Sequence, residues 1–556
     1  MKVDLSVFLP EDEHEIFLGH EHRLQTYMDD WDQGKVPTPV PQADSRPFLA
    51  VAASAAARCE KLLAILAPET AVAAWRHADP YVVRALSDLT VLDRVLWTVA
   101  VGARGGSHDL LVLTQFLQEA GRWWAAQWVA DSYLRIEDTT TPAAAAASVP
   151  GREFLSRTTA QAIRYHWASA MICTQIAIVI EDDPQFRAAL PEFTLANTER
   201  CIQIADRHGH RSGLVTTPWN DPATDLARLL CLDAGALTAR PFPQLMTSHE
   251  IDLHPWVAFE HGFAPAAAGT ARLGMERCLL AAVDARLLRL RNTAAGRKLD
   301  KGELYERVAQ RCLEQVFADG SPTQPPRPLT IALPGQGSPD IDCSLIDDAV
   351  RVIGEAKAME SPAAIGSAAA AFETQLTKIV NQLQGRLDAL DAGTPIIDGA
   401  GHPHASANRK PVVGLGIVLH LYSGSLPDAR MLELLPRAVI SNRIAVADLH
   451  AWMIVLSSLS TIGELRHYLR YRAKLLTLGV SVVDECDFAV AYHSPRRDKI
   501  IADFRKTRAR FPGRNAVLQL TPMCVHAQDS FNRRRPTDPR RWREQFFDDV
   551  QPLPVI

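Results

Sequence analysis

A chain of 556 residues, 61.2 kDa and 47% hydrophobic content is too long for one ordinary core and too apolar for disorder, so two or three domains are expected. Its net charge of −5 speaks against a uniformly basic protein, yet the charge is segregated. Arg496 to Arg543 holds fourteen Lys/Arg against four Asp/Glu, which leaves the remainder strongly acidic. A basic segment of this kind can collect phosphate while an acidic remainder limits nonspecific binding.

The first residues, MKVDLSVFLPEDEHE, place acids where a secretory signal has basic and apolar regions. No apolar window approaches the roughly 20 residues that cross a bilayer. A cytoplasmic protein without membrane association is expected. Nine dispersed cysteines without a CxxC pair suit reduced core thiols rather than a disulfide framework or structural zinc.

Residues 1–298 read as an irregular all-α accessory or recognition region. In RPFLAVAASAAARCEKLLAILA, the residues Phe48, Val51, Leu62, Leu63 and Leu66 suit buried helix faces. LLVLTQFLQEAGRWWAAQWVADSYL is a second helix, and its Trp123, Trp124 and Trp128 suit a packing core better than a base-stacking platform. Further helices are expected over Arg157 to Ile180, Pro191 to His208 and Ala271 to Asn292. The pairs His20/His22 and His208/His210 lack a third metal ligand at recognisable spacing. The glycines of VGARGGSHD are not followed by GK[ST], so they make no phosphate loop.

Near residue 300 the pattern changes. LDKGELYERVAQRCLEQVFADG is an amphipathic helix with Leu304, Val308, Cys312 and Val316 on one face. Three short strands follow: RPLTIAL, PDIDCSLI and, after a turn at Asp347-Asp348, VRVIGEAKA. A long helix from about Ser361 to Leu390 leads to PVVGLGIVLHLY, apolar enough for a buried strand. The order α-β-β-β-α-β covers an α/β core over 299–425. Residues 426–556 read as a helical extension packed on that core, including IAVADLHAWMIVLSSL and TIGELRHYLRYRAKLL, with a basic tail.

The hairpin PDIDCSLIDDAVRVIGEAKA carries the chemistry. Residues i and i+2 of a strand share a face, so Glu355 and Lys357 point together, and pairing of the arms brings Asp342 beside them. Asp340 shares the Asp342 face as an alternate ligand. Two carboxylates and an ammonium in one pocket suit a hard divalent cation, which one or two carboxylates plus substrate phosphate typically hold. Such a cation assists phosphodiester hydrolysis, and a nearby lysine stabilises developing negative charge.

With its ID, a turn and GEAKA in that order of elements, the region Leu299 to Tyr422 resembles the PD-(D/E)XK nuclease superfamily, the restriction-endonuclease-like fold. The resemblance implies a multidomain protein with a mixed central sheet flanked by helices, and Mg²⁺ as cofactor with Mn²⁺ as substitute. It implies Asp342 as the acid of the first motif, Glu355 and Lys357 as the ExK pair, and the Ala356 carbonyl as a further metal ligand. It also implies a glutamate on the preceding helix, Glu306 in preference to Glu303. A glutamine or lysine is implied on the following helix: Gln375, then Lys378 and Gln382. The expected activity is hydrolysis of nucleic acid, DNA favoured over RNA, endonucleolytic rather than exonucleolytic. By analogy it would serve bacterial restriction or anti-phage defence. Cutting both strands of a duplex would suit a homodimer. The alternative is an inactive nuclease-fold protein acting as a nucleic-acid-binding or interaction scaffold.

Overall fold

The computed structural model describes residues 46–72, 78–88, 91–137, 166–209, 216–248, 250–254, 256–265, 278–283, 300–316, 324–360, 367–406, 412–420, 441–482, 485–510 and 516–518, with isolated positions in 7–19 and at 275 and 286. It is a mixed α/β protein of many helices and several small sheets. The chain divides into two units, one of Met1–Ala160 and Glu199–Leu279, the other of Gln161–Thr198, Leu280–Pro362 and Ser367–Ile556. Gln161–Thr198, expected within the 1–298 region, group with the C-terminal unit.

In the N-terminal unit, the helix Arg46–Leu63 buries Phe48, Val51 and Leu63 as its periodicity predicts, and Cys59 with them, while Leu62 is only half-buried. The helix Leu110–Glu137 buries Trp123 and Trp124, and Trp123 meets Phe242 edge-on at 5.3 Å. These rings are core; the Trp128 side chain lies outside the described residues. The unit is not all-α. Trp256–Phe259 and Gly262–Pro265 form an antiparallel hairpin, flanked by Thr217–Pro218 on one side and by Cys231–Asp233 on the other. These strands escaped the sequence reading because the hairpin is buried on both faces and so shows no alternation.

Gly105, from the glycine cluster, has a packing role. Its amide donates to the Leu66 carbonyl at 2.9 Å, and a Cβ built on it would meet the Ile65 carbonyl oxygen at 2.0 Å. Gly105→Ala is expected to destabilise this unit by about 1–3 kcal/mol, the usual cost of overpacking against backbone. An unchanged urea midpoint would refute that. His20, His22 and His210 lie outside the described residues, as does the side chain of His208.

The C-terminal unit is built from α1 (His166–Asp182), α2 (Lys301–Val316), β1 (Cys343–Ile346), β2 (Val350–Glu360), α3 (Ser367–Asp391), β3 (Val413–His420), β4 (Ile444–Asp448), α4 (Leu449–Ser458), α5 (Ile462–Thr477), α6 (Glu485–His493) and α7 (Arg497–Arg510). Its main sheet has the order β4-β3-β2-β1, with β1 antiparallel to β2 and the other pairs parallel. Helix α2 buries Leu304, Val308, Cys312 and Val316 as its spacing predicts. Polar contacts tie α1 and the residue after it to α2: Arg311 reaches Gln175 at 3.1 Å and Asp182 at 3.0 Å, and Arg307 reaches Asp183, just past α1, at 2.7 Å. These partners are more than a hundred residues apart in the chain, so no local pattern announces the contact.

Two elements differ from expectation. The strand in RPLTIAL shortens to Thr330–Ile331 and leaves the main sheet, pairing antiparallel with Ile396–Ile397, which in turn pairs with Pro403–His404. The start of IAVADLHAWMIVLSSL is strand β4, not helix. Asp448 ends that strand and caps α4 by accepting from the Ala451 amide at 2.7 Å. The main sheet thus follows the order α-β-β-α-β-β, and residues beyond 426 supply a strand to it rather than only helices packed on it. MLELLPRAVI and most of the chain beyond Arg510, with its basic tail, lie outside the described residues.

Close packing sets α3 over the sheet. A Cβ at Gly416 would lie 2.9 Å from Ile379 Cγ2 of α3 and 2.6 Å from Val446 Cγ2 of β4, so the glycine lets helix and strand approach. On the other side, Trp452 of α4 donates its indole N–H to the Gly416 carbonyl at 2.9 Å. At the sheet edge, two glutamine side chains stand in for a neighbouring strand. Gln310 of α2 accepts from the Ser344 amide at 2.8 Å and donates to its carbonyl at 2.9 Å. Gln324 does the same for Ile346, at 3.0 and 3.3 Å. Edge groups buried under a helix need such partners.

Candidate active site at the end of the hairpin ladder

The β1–β2 ladder runs from Ile346 back to the pair Cys343–Gly354, and there it stops. One residue earlier, Asp342 turns its side chain into the place of the missing rung, accepting from the Ala356 amide at 2.9 Å through Oδ2. A continued ladder would bring the Ile341 amide to the Ala356 carbonyl, but that amide donates to Leu329 instead, at 2.7 Å. Within a strand the N–H and C=O of one residue share an edge. The Ala356 carbonyl therefore lies on the edge that Asp342 occupies, without a ladder partner.

Lys357 gathers the charges. Its Nζ lies 3.0 Å from Asp342 Oδ2 and 2.7 Å from Glu355 Oε1, so the two carboxylates face one ammonium. Glu355 is 1% exposed and is held from the other side by Arg386 of α3, itself buried, whose second nitrogen donates to the Asp340 carbonyl at 2.6 Å. Asp340 itself is exposed and enters through its main chain. Arg327 fixes the approach to Asp342, donating to the Ile341 carbonyl at 3.0 Å and to the Asp342 carbonyl at 2.5 Å. The turn is made as expected, with Asp347 accepting from the Ala349 amide at 2.9 Å and pairing with Arg351 at 2.8 Å.

The electrostatics follow from burial and this crowding. Burial and then the Glu355 charge push the Asp342 carboxyl up, against the pull of Lys357. Burial works against the Lys357 ammonium, but Asp342 and Glu355 outweigh it and hold its pKa above the ordinary lysine value. The two carboxylates thus favour the ammonium form of Lys357.

Glu306, one helical turn before Gln310 on α2, stands within reach of the same field. Burial and then the Asp342 charge push its carboxyl up to about 7. An acid whose folded pKa exceeds its unfolded value stabilises fully below the unfolded value, and that contribution is lost as pH rises toward 7. Glu306→Gln is neutral at every pH and escapes this loss. In chelator-containing buffer its melting temperature is expected to exceed that of the parent at about pH 8 and to match it at about pH 4.5. Parallel curves at both values would count against the field described.

The structure thus brings together Asp342, Glu355, Lys357 and Glu306, with the Ala356 carbonyl. Gln375 is not among them. It is exposed on α3, and the eleven residues that separate it from Arg386 correspond to about 16 Å of helix. Lys378 is also exposed. Gln382, one turn before Arg386, is half-buried with its Oε1 buried and without a hydrogen-bond partner among the described residues. Arg386 is the member that the sequence reading missed. Its only signal was a charge at a position where the α3 pattern of Ile379, Leu383 and Leu387 faces the sheet.

No family model, no curated protein and no solved structure matches this chain. The seven described cysteines are free thiols, Cys343 among them directly behind Asp342. No helix among the described residues is long and apolar enough to cross a membrane.

The donor set suits a hard cation in part. Among the described residues, no set of three His, Cys, Asp or Glu side chains is grouped to hold a metal. Mg²⁺ needs fewer, since it keeps several waters and takes one or two carboxylates. Asp342 uses only Oδ2 in its hydrogen bonds among the described residues, and the Ala356 carbonyl beside it has no ladder partner. Burial first, and then the repulsion among the acids here, raises the Glu306 and Asp342 carboxyls.

Proposed function

We propose that this protein is a divalent-metal-dependent nuclease of the PD-(D/E)XK type, with its centre at the end of the β1–β2 ladder. The observation that supports this most is the convergence of Asp342 and Glu355 on Lys357 where the ladder ends and leaves the Ala356 carbonyl without a ladder partner. An incidental surface hairpin has no reason to bury Glu355 or to turn Asp342 into the strand edge, since burying charges is costly unless they are paired.

In this reading Asp342, Glu355 and the Ala356 carbonyl would hold Mg²⁺, with Mn²⁺ as a substitute. When bound, the cation would supply charge neutralisation at the scissile phosphate and a lower pKa for the attacking water. Water attacks phosphorus and gives up a proton to solvent, the new P–O bond forms as the bond to the leaving oxygen breaks, and that oxygen takes a proton from solvent to leave as a hydroxyl. Lys357 remains an ammonium and stabilises the negative charge that grows on the phosphoryl oxygens. Arg386 orients Glu355, and Glu306 lies at the rim of the acidic pocket, where a proton can reside near neutral pH. DNA is the favoured substrate, cut endonucleolytically.

The test is incubation of the purified chain with plasmid DNA, single-stranded DNA and RNA in Mg²⁺, in Mn²⁺ and in chelator. Cleavage that needs metal and disappears in Asp342→Ala, Glu355→Ala and Lys357→Ala is expected. Metal-dependent cleavage unchanged in all three would overturn the assignment of the site. No cleavage of any substrate, together with salt-sensitive binding, would favour a nucleic-acid-binding scaffold instead.

A further inference from the structure

A second feature lies away from these carboxylates, among the C-terminal helices. Helices α5 and α7 border an open groove of about 1060 Å³ whose floor includes Tyr471 and Tyr492. Along its wall α5 places His467, Arg470 and Lys474, all exposed, at spacings of three and four residues. That spacing puts them on one helix face over about 10 Å. None of the three takes part in an ion pair among the described residues. From the other wall Arg497 lies over the Tyr492 ring, 5.8 Å from its centre.

Two acids also line the groove. Glu464 is engaged at the start of α5, accepting from the Ser460 amide at 2.7 Å and from the Tyr492 hydroxyl at 3.3 Å. Asp498 is exposed in the first turn of α7. The cations outnumber them, and α7 carries more beyond the groove: Lys499, Arg505, Lys506 and Arg508 are exposed. Arg508 also fastens α7 to the end of α5 by donating to the Thr477 carbonyl at 3.0 Å.

The geometry points to a binding site for the phosphate backbone of a nucleic-acid strand along the α5–α7 groove, separate from the cluster around Lys357. A small phosphorylated ligand would call for convergent, enclosed donors. Here the cations are strung in a line along an open groove, which matches a repeating polyanion. The tyrosines are largely buried, so the site offers charge rather than base stacking, and it should be insensitive to sequence. The inference does not require that the Lys357 cluster be catalytic.

The test is fluorescence anisotropy of the full chain with labelled oligonucleotides, in chelator so that metal-dependent cleavage is silent, across a salt series. Arg470→Ala with Lys474→Ala is expected to weaken single-strand binding at least tenfold and to make the slope of log K against log salt shallower by about 1.4, the loss of two phosphate contacts. Lys61→Glu with Arg187→Glu, two exposed charges elsewhere, is expected to leave that slope in place. Asp498→Asn, which removes a repulsive charge, is expected to tighten binding, a gain that misfolding does not mimic. A duplex arm identifies the form preferred. Unchanged affinity and slope in the Arg470/Lys474 variant, no tightening in Asp498→Asn, or displacement of the oligonucleotide by mononucleotide at equal phosphate concentration would overturn the proposal. Loss of cleavage in Lys357→Ala with these binding effects intact would separate the two sites.

Discussion

Lys357→Ala is expected to lower phosphodiester cleavage by at least about a hundredfold, the scale on which one preorganised charge at a reacting centre acts, while leaving the protein folded. The two consequences separate because the lysine, at 34% side-chain exposure, is much less buried than Asp342, Glu355 or Arg386. Without it, Asp342 keeps the Ala356 amide and Glu355 keeps Arg386. Water can enter the space left behind. Lys357→Arg retains the charge but spreads it over a planar fork, so it should restore part of the melting behaviour and little of the rate. Plasmid cleavage in Mg²⁺, followed beside a thermal melt, measures both. Full activity in Lys357→Ala would remove the lysine from the proposed reaction.

Arg386→Ala is expected to be the most damaging single substitution in the C-terminal unit, costing about 3–5 kcal/mol, because it strips a buried carboxylate of its main partner. Glu355 is 1% exposed and Arg386 4% exposed at their side chains, so solvent does not replace the lost guanidinium. The same change frees the Asp340 carbonyl, which loosens the chain just before Asp342. Removing both partners should be far milder: Glu355→Gln with Arg386→Met eliminates the unpaired charge and fills most of the volume. Urea midpoints of the two singles and the double form a mutant cycle. A double variant as unstable as the sum of its singles would show that the pair is not coupled.

Local periodicity was enough to place α2 and its buried face, the hairpin β1–β2, the long helix α3 and the apolar strand β3. In each, the signal is a repeat within about a dozen residues, and packing then agrees with it. The turn acids Asp347 and Asp348 and the shared face of Glu355 and Lys357 follow from the same short-range geometry. Thr330–Ile331 and Ile444–Asp448 went astray because a short apolar run is compatible with either sheet, or with a helix. Only its neighbours choose. The hairpin at Trp256–Pro265 was hidden for a related reason, since burial of both faces removes the alternation that announces a strand.

What the residues dictated alone was therefore the candidate chemistry: an acid, an ExK pair and a glutamate on the preceding helix, in an order that resembles a known nuclease family. Their convergence needed the fold. The ladder stops at Cys343 because Ile341 pairs with Leu329, and only that detour lets the Asp342 side chain take the rung beside Ala356. Arg386 reaches Glu355 because glycines in β3 let α3 settle close to the sheet, a contact between residues 31 positions apart. The basic run after Arg496 was visible as composition, but a groove exists only where α7 lies beside the cationic face of α5. Charge and periodicity are carried along the chain; pairing and burial depend on which distant segments share one core.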